Sequence, residues 1–169
     1  MVLGTGNEMK TKQLLTPEQK IAYWDDGEWV NEPDFIEFEY EGFDCQVLRT
    51  FAFEHTGDMF GGHLCGYVCI PESHPYHGIN FFDLKAPDIE VHYGITYNQI
   101  RDEKYWIGFD CAHSSDITPS MERYKRQNNI LKELPDHFKN LPMFNTTYKN
   151  ISFAIGECKS IVDQIKDLK

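Results

Sequence analysis

Long apolar runs are missing from this 169-residue chain. No stretch approaches the roughly 18 consecutive apolar residues that a membrane-spanning helix needs, so no membrane partner is expected. Met1 to Lys12 lacks both the apolar segment and the small-residue cleavage pattern of a secretory signal. The expected compartment is therefore the cytoplasm. Positive charge is scarce: 16 Lys and Arg stand against 27 Asp and Glu, for a net charge of −11. Phosphate backbones are neutralised by cations, so direct nucleic-acid binding is disfavoured. A basic protein surface or a small molecule fits this charge better, although an acidic surface also serves plain solubility.

Cysteines are few, odd in number and widely spaced: Cys45, Cys65, Cys69, Cys111 and Cys158. In a reducing compartment they are expected as free thiols. Cys65 and Cys69 have no second close pair, which argues against a ribbon-type structural zinc site. Other signatures are absent too. There is no GxxxxGK[ST] or GxGxxG, hence no phosphate-cradling loop, and no HExxH-like spacing. There is no GxSxG, hence no nucleophile elbow. No repeat and no second domain are visible, and residues 1–169 read as one domain with a loose arm over 1–15.

Aromatic residues are plentiful, with twelve Phe, nine Tyr and three Trp. They suit a core packed on a sheet or the lining of a pocket. Thr16-Pro17-Glu18-Gln19 has the pattern of a capped helix start, and Asp25-Asp26-Gly27 ends that helix. From Asp34 the period becomes two. A hairpin is predicted with its turn at Glu41-Gly42 and a returning strand over 45–53. Gly57 to Gly62 reads as a turn and 63–70 as a strand. Pro71 to Pro87 is a long irregular connection of the kind that is often functional. Strands are predicted over 89–97 and 105–111, with a tight turn at 101–104. A short charged helix is expected over 120–134, with Pro135 and Pro142 breaking the stretch beyond it. A final helix starts at Thr146 or Thr147. Its stripe of Tyr148, Ile151, Ile155, Cys158, Ile161, Val162 and Ile165 needs a sheet to cover it. Without βαβ alternation, the fold class is α+β: a mostly antiparallel sheet of about five strands, with a long C-terminal helix on one face.

The densest chemistry lies in Trp106 to Asp116, where an apolar strand ends in Asp110, Cys111, His113 and Asp116. Strand ends are where scaffolds place sites. Alternation puts Cys111 and His113 on one side, the minimum for an activated thiolate. If the strand containing His92 pairs with 105–111, His92 comes level with residues 111–115. His63 and Cys65 share a face of an earlier strand. Three readings are open: a metal site using His63, His92, His113 and a carboxylate, with zinc as the ion; a hydrolase or transferase with Cys111 as nucleophile, His92 or His113 as base and Asp110 as orienter; or a cluster in which the thiols and imidazoles only pack and satisfy backbone groups. His63, Asp116 and Tyr97 are the expected ligand-binding residues of the same pocket.

The stretches Gly62-His63-Leu64-Cys65-Gly66-Tyr67-Val68, His74-Pro75, Val91-His92-Tyr93-Gly94-Ile95-Thr96-Tyr97 and Gly108-Phe109-Asp110-Cys111-Ala112-His113 resemble a family of uncharacterised proteins from bacteria and their phages. That family's pattern is GHxCGYV, HP, HGGxTY and GFDCAHxxD. One departure stands out: Tyr93 occupies the first of two glycine positions after His92. The resemblance implies that His63, His92, Asp110, Cys111, His113 and Asp116 belong to one site. With the acidic composition, it points to an accessory protein of a phage or mobile element. Such a protein would bind a protein partner, with an anti-defence role as one form of this, or a small ligand. The alternative is a Cys–His or metal-assisted hydrolase.

Overall fold

The computed structural model describes residues 8–51, 61–129 and 146–168, together with Lys132 and Pro135. Thr16 starts helix α1 (Pro17–Trp24) with a capping box: its hydroxyl accepts the Gln19 amide at 3.2 Å, and Gln19 Oε1 accepts the Thr16 amide at 2.9 Å. A short 3-10 turn, Glu28–Asn31, then folds Trp29 and Val30 against Trp24 as a small satellite core.

The main sheet has six strands: β1 (Lys10–Lys12), β2 (Phe35–Tyr40), β3 (Phe43–Arg49), β4 (Leu64–Ile70), β5 (Tyr97–Arg101) and β6 (Lys104–Asp110). Their order is β1-β2-β3-β4-β6-β5, and every neighbouring pair is antiparallel. After β6 come the two-residue strand β7 (Asp116–Ile117), helix α2 (Pro119–Gln127), strand β8 (Thr147–Tyr148) and helix α3 (Ile151–Ile165). β7 and β8 pair in parallel, apart from the main sheet. The fold is α+β, with α3 laid across β3 and β4.

Alternation sorts the sheet into two faces. Phe38, Cys45, Val47, Val68, Ile107, Phe109 and Cys111 face α3. They close a core with Ala154, Cys158, Ile161, Val162 and Ile165. Gly66 marks the closest approach: a Cβ there would lie 2.3 Å from the Phe109 ring and 2.8 Å from Cys158 Sγ. The opposite face carries Tyr67, Trp106 and Arg101, whose guanidinium lies 4.9 Å from the Tyr67 ring centre and 4.7 Å from that of Trp106.

A buried ionic network ties the chain's two ends to the sheet. The Asp34 carboxylate takes Lys20 at 2.8 Å, Arg49 Nε at 2.9 Å and the amides of Leu14 and Leu15. Arg49 also donates to Glu32, the Gly62 carbonyl and the Tyr148 hydroxyl. Glu32 in turn accepts the Ile151 amide at the start of α3.

Several elements differ from expectation. There are six strands in place of about five, because Lys10–Lys12, expected in the loose arm, pairs with β2. The segment expected as a strand over 89–97 is irregular, with a turn at 92–94, and β5 starts only at Tyr97. Tyr93 (φ 56°) and Gly94 (φ 89°) are left-handed, which breaks any extended path there. The β5–β6 turn narrows to Asp102-Glu103, both at positive φ. The last helix begins at Ile151 because Asn150 caps it, its Oδ1 accepting the Phe153 amide at 3.0 Å, while Thr147 and Tyr148 are held as β8. β3 ends at Arg49, and the expected extension over 52–53 lies outside the described residues. So do residues 1–7 of the arm, 57–60 of the Gly-rich turn, 130, 131, 133 and 134 of the charged helix, and the break at Pro142. Among the described residues, no helix is long and apolar enough to cross a membrane.

Candidate metal centre

The segment that leaves β6 is folded back by its own carboxylates. Asp110 Oδ1 accepts the Ala112 amide at 3.0 Å, and Asp116 Oδ2 accepts the His113 amide at 2.9 Å. The Asp116 amide closes the turn on the His113 carbonyl at 2.9 Å. Short polar side chains stabilise such turns by replacing missing backbone partners. The result aims the fully buried Asp116 carboxylate and the His113 ring at the same point.

His92 arrives from the other side. The β5–β6 register pairs Tyr97 with Gly108, and the same count places His92 level with His113. The strand does not reach that far, so the turn at 92–94 delivers the ring instead. Glu157 of α3 accepts the His92 amide at 2.7 Å, and the ring packs edge-on against Phe153 of the same helix. His92 Nε2 then lies 2.9 and 3.0 Å from the two Asp116 oxygens.

His113 is the unsatisfied member. Its Nδ1 is shut off from solvent yet has no hydrogen-bond partner among the described residues. It lies 3.5 Å from Asp116 Oδ2 and 3.7 Å from Asp110 Oδ1. Buried nitrogens are normally paired, and an orphan of this kind calls for a partner. His92, His113 and Asp116 each offer one ligand atom, all within 4.8 Å of one another, and this group can hold a metal ion. A tetrahedral ion with ligands at about 2.0–2.1 Å sets its ligand atoms about 3.3 Å apart. The two histidine–Asp116 separations, 2.9 and 3.5 Å, bracket that edge, and the two histidine ligand atoms lie within 4.8 Å of each other.

Tyr93 covers the His113 ring. Its ring stacks on His113 at 4.2 Å and 6°, and its hydroxyl donates to Ser115 Oγ at 3.0 Å. The residue is itself 57 % exposed. A left-handed φ at a non-glycine residue costs about 1–2 kcal/mol, which the stacking and the hydrogen bond offset. On the remaining side, Lys149 Nζ stands 3.7 Å from Asp116 Oδ1 and over the Phe153 ring. The β7–β8 pairing, which sets Thr147 beside Asp116, brings it there.

The other expected residues divide around this cluster. His63 keeps its Nδ1 3.1 Å from the Thr50 hydroxyl. Burial lowers its pKa, against the pull of Asp110 and Asp116. It lies near the cluster but is not among the three grouped ligands, in which Asp116 is the expected carboxylate beside His92 and His113. Asp110 borders the cluster beside His113. Tyr97 sits on the sheet face away from α3, edge-on to Tyr67 at 5.1 Å, and takes no part. Strand alternation predicts Cys111 beside His113. Its side chain instead enters the core, with the residue 2 % exposed. Its thiol has no hydrogen-bond partner among the described residues, and burial pushes its pKa well up. A thiolate nucleophile needs the reverse. All five cysteines are free and buried.

Sequence reasoning misses Tyr93 as a cover, Lys149 and Glu157. Tyr93 is legible as the departure from a paired-glycine pattern. Lys149 and Glu157 have no local signal, because strand pairing and helix packing bring them in. No protein-family model, no curated protein and no solved structure matches this chain.

Proposed function

We propose that His92, His113 and Asp116 form a zinc-type centre, and that the protein is a metal-assisted hydrolase or a metal-dependent binder of a small ligand. The observation carrying this reading is the orphaned His113 Nδ1, buried within 3.5 Å of a carboxylate that already holds His92. A divalent ion would satisfy that nitrogen and unite all three side chains. Two imidazoles and a carboxylate suit zinc, and three protein ligands leave a coordination position for water or a ligand. A metal bound in this way makes water acidic enough to act as a nucleophile near neutral pH. The chain's own residues would orient the site: Glu157 holds the His92 backbone, and Tyr93 shields His113 from solvent.

Metal analysis of protein purified without chelator tests this. Near-stoichiometric zinc is expected, and His113→Ala or Asp116→Asn should lower occupancy by about 10-fold or more. Wild-type protein that takes up no zinc, cobalt or manganese on dialysis would refute the reading.

A second reading has its own support in the net charge of −11. It is an accessory protein of a phage or mobile element that docks on a basic partner, where charge complementarity raises the rate of association. A complex captured at low salt and lost at high salt would favour it.

A further inference from the structure

The cluster is lopsided in a way that bears on the ligand it can take. Asp116 Oδ2 faces the His113 ring and accepts its amide, whereas Oδ1 faces Lys149. The ammonium is not used up in a close ion pair. At 3.7 Å it is beyond ordinary hydrogen-bond length from Oδ1, and its nearest polar partner is the Thr147 hydroxyl. The Tyr93 and Ser115 hydroxyls, bonded to each other, stand beside His113. With a divalent ion bound, the ion and Lys149 would balance Asp116, Asp110 and Glu157, leaving two cationic groups side by side to meet an anion.

We infer that the ligand of this centre is a phosphate-type oxyanion, free or as an ester, with one oxygen on the metal and another on Lys149 Nζ. This rests on the metal reading given above. Phosphate is recognised here by an ion and a single ammonium, so no glycine-rich loop is required. Lysine binds phosphate as a point charge, which suits a side chain approaching from one flank. The geometry also gives Lys149 a reason to be held over the Phe153 ring, a position that keeps its charge near the cluster and partly screened from water.

The test is calorimetric titration of the full chain with inorganic phosphate, zinc-loaded and metal-free, with metal content measured on each sample. Zinc-loaded protein should bind phosphate and metal-free protein should not. Lys149→Met keeps the aliphatic stem, and should retain zinc while losing about tenfold in phosphate affinity, the usual size of one charge-assisted hydrogen bond. Lys149→Arg should restore most of it. If zinc binds but phosphate does not, or if Lys149→Met binds phosphate as the wild type does, the inference fails and the metal reading stands. Phosphate binding by metal-free protein would also overturn it. If no metal binds at all, both fail together.

Discussion

Cys111 and His113 are two residues apart and have opposite fates. The thiol turns into the core against α3, while the imidazole is held outside it by the Asp116 turn. Burial among apolar groups disfavours a thiolate, and the nearby Asp116 and Asp110 add to that effect. Iodoacetamide near neutral pH, followed by mass spectrometry, should label Cys111 in folded protein no faster than Cys45 or Cys158. Burial raises the thiols of both of those as well, Cys45 to about 12. Rapid labelling of Cys111 that is lost in His113→Ala would restore the thiol nucleophile. The residue types of this site were legible in the sequence. Cys111 keeps the inward alternation of Ile107 and Phe109, but His113 does not, because alternation holds only while the strand lasts, and β6 ends at Asp110.

At the scale of elements, α3 and β4 fit because Gly66 leaves room for the Phe109 ring and Cys158. A methyl group there has nowhere to go without moving the helix. Gly66→Ala should cost about 1–3 kcal/mol, or more if the helix is displaced. A lowered urea midpoint with an unchanged m-value would show it, and a fully stable variant would mean the layers are looser than this contact implies. The same helix anchors the candidate site through Glu157 and Phe153, so this variant should also weaken metal retention. The hairpin, the capping box and the apolar stripe could all be read from local pattern. The strand expected over 89–97 could not be read correctly. Its alternation of apolar and polar residues imitates a strand, but two left-handed residues at 93 and 94 interrupt it.

For the whole molecule, the main vulnerability is the ionic network around Arg49. Lys20, Asp34 and Arg49 are all but fully buried, and their charges are satisfied only by one another, by Glu32 and Tyr148, and by backbone groups. Burial alone would raise the Asp34 pKa, but Lys20 and the amides of Leu14 and Leu15 hold it below the ordinary carboxylate range. Removing one member strands the rest. Arg49→Ala should destabilise the fold by about 3–5 kcal/mol, the usual cost of an uncompensated buried charge. Chemical denaturation would measure this, and a loss under about 1 kcal/mol would show that water reaches the network.

Local physics, written in residue order, determined much of this protein. The period-two runs, the Thr16 cap, the turn at Glu41-Gly42 and the helical stripe define an antiparallel α+β fold. The concentration of His, Cys and Asp at one strand end marks where the His92–His113–Asp116 cluster forms. Only the tertiary structure decided which side chains meet. His92 meets Asp116 across 24 residues and Glu157 across 65, and the β7–β8 pairing brings Lys149 to Asp116. No local preference encodes such contacts. They arise from closing the core, which buries Cys111 and leaves His113 Nδ1, near the Asp116 carboxylate, without a hydrogen-bond partner among the described residues.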